Sequence, residues 1–205
     1  MKKVILLMIV LCLIVNFLSA QVSFGVQAGI SVASYKVSSE GLSVTSKSKV
    51  GFTAGIVSSF DIGSGISFRP ELNFLQKGGT IEDNETDKLS LNYLELPLDF
   101  TYNVKLGEGK LFFGLGPVLA YGLSGTEKNN SGSFKVNFGS DDNADLKRFE
   151  FGGNVLAGYQ LGNGLFFAAN YNFGLNNISP MSDSKYRNRY FGIKLGFMIE
   201  SKKAK

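Results

Sequence analysis

Residues 92–122 read NYLELPLDFTYNVKLGEGKLFFGLGPVLAYG, and this stretch decides the fold. Every second residue from Leu94 to Val104 is apolar or aromatic, and the same holds from Leu111 to Tyr121. Because side chains alternate between the two faces of a strand, the stretch predicts a β-hairpin with one apolar face. The glycine-rich residues 106–109 form its tight turn. Each arm has about ten residues, the length that a tilted strand needs to cross the hydrocarbon core of a membrane.

The same alternation recurs in six other segments, which brings the predicted number of strands to eight. These segments are residues 22–34, 50–61, 66–77, 148–161, 165–175 and 190–199. The links after the second, fourth and sixth strands are short, whereas residues 35–49, 78–91, 123–147 and 176–189 form long polar links. Short periplasmic turns, longer extracellular loops and an even strand number are typical of outer-membrane barrels. The sequence therefore predicts an all-β, eight-stranded antiparallel up-and-down transmembrane β-barrel.

Two kinds of barrel fit eight alternating strands. A secreted soluble ligand-binding barrel of the lipocalin type has its apolar face inside, whereas a membrane barrel turns that face toward lipid. Here the face opposite the apolar one carries many glycines together with charged residues. The interior of an eight-stranded barrel is only wide enough for side chains to fill, often small against large. This composition favours the membrane barrel, with the soluble barrel as the alternative, and it disfavours a diffusion pore.

The charged side chains on the inward face predict a structural polar network in the lumen. Its expected members are Arg69, Glu71, Glu95, Asp99, Glu150 and Lys194. Buried charges need partners because an isolated buried charge is very costly. Counted from the short-turn rim, four of them, Arg69, Glu71, Asp99 and Lys194, fall at similar heights and are expected to pair. The alternative is that they are solvated in a wet lumen, and in either case their role is structural.

The prolines of the predicted strands conflict with a continuous hydrogen-bonded wall. Proline has no N–H group to donate to a β-ladder. The turn register brings Pro97 and Pro117 close together across the hairpin. We therefore expect a bulge or a local gap in the wall at this point.

The N-terminus has the pattern of an export signal. Lys2 and Lys3 precede the apolar residues 4–18, and Leu18-Ser19-Ala20 offers a small-residue cleavage site. This pattern predicts a cleaved secretory signal peptide at residues 1–20 and a barrel domain at residues 21–205. The apolar run is shorter than the roughly 20 residues of a spanning helix. The predicted location is the bacterial outer membrane, and no basic cluster with interleaved aromatics suggests a nucleic-acid partner.

The residue types argue against an enzyme. The sequence contains no histidine, which excludes a Ser-His-acid triad, and its one cysteine, Cys12, lies in the predicted signal peptide. The acidic residues Asp141, Asp142 and Asp145 could bind Ca²⁺ through oxygen atoms, but a solvated acidic loop is the favoured interpretation. We therefore predict no catalytic residues, no cofactor and no metal site.

Three segments resemble the PorT-like outer-membrane beta-barrel family of Bacteroidetes, a branch of the OmpX/OmpA-type barrels of the porin-family superfamily. They are RPELNFLQKG at residues 69–78, YLELPL at 93–98 and FGLGP at 113–117. The last strand, with Gly192, Leu195 and Phe197, is similar to the C-terminal assembly signal of such barrels. The resemblance implies contact with outer-membrane lipid and with the barrel-assembly machinery. It implies either a structural or loop-mediated binding role in the envelope, or an accessory role in a protein-secretion or gliding apparatus, with envelope or secretion-apparatus proteins as partners.

Overall fold

The computed structural model describes residues 22–80, 87–139, 144–181 and 183–200. The predicted signal peptide and residues 141–143 of the acidic loop lie outside these residues. The described residues form ten strands, which are β1 (Val22–Ser39), β2 (Leu42–Thr45), β3 (Lys47–Gly63), β4 (Ile66–Thr80), β5 (Lys88–Leu106), β6 (Gly109–Asn129), β7 (Gly132–Val136), β8 (Phe149–Gln160), β9 (Leu165–Gly174) and β10 (Ser184–Glu200). Within the described residues, no helix is long and apolar enough to cross a bilayer.

Eight of these strands build the wall of a closed antiparallel barrel, as the sequence predicts. They follow the order β1, β3, β4, β5, β6, β8, β9 and β10, and β10 pairs with β1 to close the wall. The turns between β3 and β4, β5 and β6, and β8 and β9 are short, so this rim is periplasmic. Closure gives every wall strand two neighbours, which lipid demands of a β-structure.

The apolar face of the wall points outward. Phe113 and Phe167 are 49% and 52% exposed, whereas Glu95 and Lys194 are 0% and 4% exposed. This orientation rules out the alternative of a soluble barrel with an apolar interior. Exposed apolar side chains instead form a continuous band that matches the hydrocarbon core of a membrane.

The wall extends further on the extracellular side than the sequence analysis predicts. β5 and β6 together run from Lys88 to Asn129, and β2 and β7 add two short hairpin strands within links that were expected to be loops. The links are long and polar as expected, but part of each of these two is a strand. Beyond the membrane, both faces of a strand meet water or other loops, so the apolar alternation that marks a strand disappears there.

The prediction of a gap near the hairpin prolines is confirmed. Pro97 pairs with Val118, and the β5–β6 ladder resumes at Phe100 and Leu115 in the same register. Pro117 lies within this interruption. Because the register does not shift, the irregularity is a gap and not a bulge.

On the inward face, small and large residues are paired between neighbouring strands of the wall. Gly29 lies opposite Lys194, Gly116 opposite Asn154, and Gly158 opposite Phe112. A Cβ atom added at Gly158 would collide with the Phe112 ring. The glycines therefore provide the space that the large inward side chains occupy.

Candidate functional site

The lumen is filled by alternating apolar and charged layers. Nearest the periplasmic rim, an apolar cluster consists of Val57, Phe112, Leu156, Phe166, Ala168 and Met198. Above it lies a set of four charged residues, which we call the lower charge layer: Arg69, Glu71, Asp99 and Lys194. Further toward the extracellular rim lies a second set, the upper charge layer: Lys77, Glu95 and Glu150. Each of these seven residues is at most 4% exposed.

The lower charge layer is centred on Glu71. Its carboxylate accepts a bond from Lys194 Nζ at 2.6 Å and pairs with Arg69 Nε at 3.3 Å. Gln27 Nε2 donates to the same carboxylate at 2.7 Å. Asp99 is the cross-strand partner of Arg69, and it accepts a bond from Asn154 Nδ2 at 2.9 Å. These bonds link β1, β4, β5, β8 and β10 across the lumen.

The Arg69 side chain also connects the lower charge layer to the apolar cluster beneath it. Its guanidinium carbon lies 4.9 Å from the centre of the Phe112 ring and 4.8 Å from that of Phe166. Arginine stacks on aromatic faces because its planar guanidinium is delocalised and weakly hydrated. The two rings therefore stabilise a buried cation that has its carboxylate partner on one side only.

The upper charge layer has the opposite arrangement, with one cation between two carboxylates. Lys77 Nζ lies 3.1 Å from Glu95 Oε2 and 3.2 Å from Glu150 Oε1. Tyr190 donates its hydroxyl to Glu95 Oε1 at 2.5 Å, and Asn188 Nδ2 donates to Glu150 Oε2 at 2.9 Å. The rings of Tyr93 and Tyr190 also flank the Lys77 ammonium, at 4.9 and 5.5 Å.

The structure places all six sequence-derived site residues inside the lumen, but in two groups. Arg69, Glu71, Asp99 and Lys194 lie together, and Glu95 and Glu150 lie in the upper charge layer. Sequence reasoning missed Lys77, because the predicted third strand ended at this residue. The signal that could have found it is its parity, since Lys77 lies an even number of residues from Arg69 and Glu71 on the same strand.

At the extracellular end, residues from the long connections close the lumen. Phe138, Leu146 and Ile178 pack with Leu91 and Tyr93 in one apolar cluster, and Ile178 and Tyr93 are both 0% exposed. Tyr93 contacts Phe138 edge to face, with ring centres 5.8 Å apart. The lumen between this cluster and the periplasmic one therefore holds protein side chains, as expected for eight strands.

A cavity of about 360 Å³ opens outside this closure, toward the extracellular medium. Its apolar lining includes Leu89 and Leu146 together with Tyr35 and Tyr186, whose rings stack with centres 4.8 Å apart. Charged residues also line it, on the β6–β7 hairpin and the neighbouring connections. They are Asp87, Lys88, Glu127, Lys135 and Asp145. A cavity that combines an apolar lining with a few polar groups is the usual form of a ligand site.

The two tyrosines that line this cavity stay neutral. Burial raises the pKa of Tyr186 well above its ordinary value, and burial, then the charge of Glu127, raises the pKa of Tyr35. The buried Tyr186 hydroxyl has no partner among the described residues. Because this oxygen is itself buried, it is not exposed to the cavity.

The described residues contain no group of three or more ligating side chains that could hold a metal ion. Residues 141–143, which belong to the candidate calcium loop, lie outside the part of the chain that the structure describes. No metal site is therefore assigned.

The closed wall, the outward apolar band and the filled lumen define a small outer-membrane β-barrel. The chain belongs to the family described as outer membrane protein beta-barrel domain, whose model matches residues 19–179. The protein is therefore a barrel of the bacterial outer membrane. No curated protein sequence matches the chain.

The chain is similar, at low sequence identity, to several solved barrels. The outer membrane protein OprG from Pseudomonas aeruginosa has a TM-score of 0.51 and 11% identity, over 89% of this chain and 98% of that one. Neisserial surface protein A has a TM-score of 0.48 and 14% identity, over 85% and 96%. Ail, the attachment invasion locus protein of Yersinia pestis, has a TM-score of 0.43 and 14% identity, over 86% and 99%. Identities of this size show the fold alone.

Proposed function

We propose that this protein is a non-enzymatic barrel that contributes to the envelope and binds a partner at the cell surface through its extracellular end. The observation that carries this proposal is the contrast between a filled lumen and an open extracellular cavity. The lumen holds the two charge layers between two apolar clusters, so solute passage is not its role. The extracellular cavity has an apolar lining together with five charged side chains.

The proposal excludes catalysis on chemical grounds. The chain has no histidine, and its buried carboxylates are engaged by Lys77, Lys194, Arg69 and amide or hydroxyl donors. A carboxylate that is held in an ion pair inside a packed lumen has no access to a substrate. We assign Arg69, Glu71, Glu95, Asp99, Glu150 and Lys194, together with Lys77, to a structural network that joins the strands.

Export and assembly are part of the same proposal. Residues 1–20 act as a cleaved signal peptide, and the barrel-assembly machinery recognises the C-terminal strand. The second step is supported by β10, which closes the wall by pairing with β1 from Ser23 to Ser39. Sequencing the N-terminus of the protein from outer membranes tests the first step. A mature protein that begins at Gln21 is the expected result, and an intact Met1 would contradict it.

Site-specific photo-cross-linking in living cells tests binding at the extracellular end. A cross-linker at Lys135, which is exposed and lines the cavity, is expected to capture one defined species. The matched position is Lys105, which is exposed near the periplasmic turn and should not capture that species. Equal capture at both positions, or none at Lys135, would contradict surface binding. The contribution to the envelope is tested separately: a strain that lacks the protein is expected to be more sensitive to detergents, whether or not the protein binds a partner.

A second candidate function is an accessory role in protein secretion or gliding, within a PorT-like branch of Bacteroidetes. It is supported by the three resembling segments, which lie side by side on β4, β5 and β6 and contribute Arg69, Glu71 and Glu95 to the lumen. A deletion strain assayed for export of secreted cargo separates the two candidates. Loss of export favours the accessory role, and normal export with a leaky envelope favours the first proposal.

A further inference from the structure

The extracellular half of the seam between β1 and β10 carries a group of cations on its outer face. We call Lys36, Lys185, Arg187 and Arg189 the seam patch. Lys36 is the direct cross-strand partner of Arg187. The three cations of β10 occupy alternate positions in line with the outward Phe191, so they share its face. Lys36, Lys185 and Arg187 are exposed.

Like charges in direct cross-strand contact destabilise a β-sheet. The seam places Lys36 opposite Arg187, and residues 34–38 (SYKVS) and 185–189 (KYRNR) contain no carboxylate. The nearest acidic residues in the chain are Asp183, just before β10, and Glu40, at the tip of the β1–β2 hairpin, so no carboxylate lies among the cations themselves. An external anion at this position would relieve the repulsion.

The seam patch begins where the apolar band ends. Phe191 is 44% exposed, and Arg189 is the next residue of β10 on the same face. From Arg189 to Lys185 the strand rises about 13 Å, which is about 9 Å along the membrane normal at a tilt near 45°. The polar headgroup layer on each side of a bilayer is about 5–8 Å thick. The patch therefore lies at the depth of the outer-leaflet headgroups.

The chemistry of the patch suits a phosphate group. Arg189 Nε donates to Ser34 Oγ at 3.0 Å, a bond that orients the guanidinium and uses one of its five N–H donors. Arginine recognises phosphate through two parallel hydrogen bonds, and lysine adds a point charge. The Ser38 and Ser43 hydroxyls, 2.8 Å apart on the neighbouring hairpin, add neutral hydrogen-bonding groups.

Among the described residues, the acidic ones nearest the seam patch, Asp183 and Glu40, lie on its side away from the membrane. Asp87, Glu127 and Asp145 line the cavity, whereas the seam patch lies on the outer wall. An anion that approaches the wall from the membrane therefore meets the cations first.

We propose that the seam patch binds the phosphate groups of a phosphorylated glycolipid in the outer leaflet. The site anchors one lipid headgroup against the closing seam of the barrel. It requires only the outer-membrane location of the protein, and it is independent of the partner proposed for the cavity.

The test measures the lipid that stays bound to the full-length protein after transfer from vesicles into detergent. The vesicles contain phosphatidylcholine with either diphosphoryl lipid A or its dephosphorylated form, and mass spectrometry counts the lipid per barrel. Each basic residue near a charged membrane surface contributes about fivefold to affinity. The double variant Lys36→Gln with Arg187→Gln should therefore bind diphosphoryl lipid A about 25-fold more weakly, and salt should weaken binding to the parent protein.

The matched control removes an equivalent pair of cations. Lys88 and Lys128 are also direct cross-strand partners, but Lys88 lies six residues beyond the exposed Leu94, about 20 Å further along β5. Lys88→Gln with Lys128→Gln should change lipid binding less than twofold. Heat-modifiable gel mobility verifies that each variant folds, and Arg187→Lys, which keeps the charge, provides a second variant that should retain most of the binding.

Three results would overturn the proposal. The first is that the control variant loses as much binding of diphosphoryl lipid A as the seam variant does. The second is that the parent protein binds dephosphorylated lipid A as strongly as diphosphoryl lipid A. The third is that the protein in lipid-free micelles binds soluble heparin as strongly as it binds lipid A. The last result would assign the patch to an extracellular polyanion instead of a lipid.

Discussion

The two charge layers of the lumen hold their cations in opposite ways. In the lower layer one carboxylate, Glu71, contacts two cations, and in the upper layer one cation, Lys77, contacts two carboxylates. Each layer also places two aromatic rings around a cation of β4, phenylalanines below and tyrosines above. The layer in which carboxylates outnumber cations thus has the rings that carry hydroxyl groups.

The difference between the two layers shows how a narrow lumen accommodates a layer in which carboxylates outnumber cations. A phenylalanine ring offers only its face to a cation, which is sufficient in the lower layer, where cations and carboxylates are equal in number. A tyrosine offers its face and a donor, so Tyr190 can flank Lys77 and also donate to Glu95. The predictions below test this comparison, from the largest expected effect to the smallest.

Lys77→Met should have the largest effect, because it leaves Glu95 and Glu150 buried without their cation. Breaking a buried ion pair by removing one partner costs about 3–5 kcal/mol. The free energy of unfolding, measured by circular dichroism in urea with lipid vesicles, should fall by that amount. Adding Glu150→Gln to the same variant should recover part of the loss, and no recovery would show that Lys77 acts by packing alone.

Glu71→Gln should cost less, about 2 kcal/mol, which is near the cost of losing one charged hydrogen bond. The glutamine oxygen can still accept a bond from Lys194, and Asp99 remains opposite Arg69 as a second carboxylate. The same urea titration measures this loss in the free energy of unfolding. A loss as large as that of Lys77→Met would mean that Asp99 gives no compensation.

Tyr190→Phe separates the two roles of the tyrosine in the upper layer. The ring stays beside Lys77, but the hydroxyl bond to Glu95 is lost, which we expect to cost about 1.5 kcal/mol. Tyr186→Phe is the matched control, since that hydroxyl has no partner among the described residues, and its effect should be close to zero. Equal effects of the two variants would contradict a specific role for the Glu95 bond.

Phe112→Leu should have the smallest effect on the lower layer, about 1 kcal/mol. It removes one of the two rings that flank Arg69, while Phe166 and the Glu71 ion pair remain. Because leucine restores most of the apolar volume, the loss reports mainly the cation–ring contact. If Phe112→Leu proved as costly as Glu71→Gln, the rings would rank equal to the carboxylate in holding Arg69.

The candidate site could be predicted in part. Parity along β4, β5, β8 and β10 was enough to put Arg69, Glu95, Glu150 and Lys194 on the inward face. Parity does not say which inward residues meet, since that depends on the tilt and stagger of the closed wall. For this reason the division into two layers was not foreseen, whereas Lys77 was missed because it stood at the end of the predicted third strand. Phe112 and Val118 were left unassigned between the glycines of β6, although they are inward and 2% exposed.

By itself the sequence determined the class of the protein, because an apolar side chain at every second position, repeated eight times between short and long links, allows few other folds. Only the tertiary structure decided the contents of the lumen, the closure at the extracellular end and the hairpins β2 and β7. The physical reason is the distance along the sequence over which each property is determined. Alternation is a local property of one strand, whereas the contacts between Lys77 and Glu150, or between Lys36 and Arg187, exist only after distant strands have closed into a cylinder.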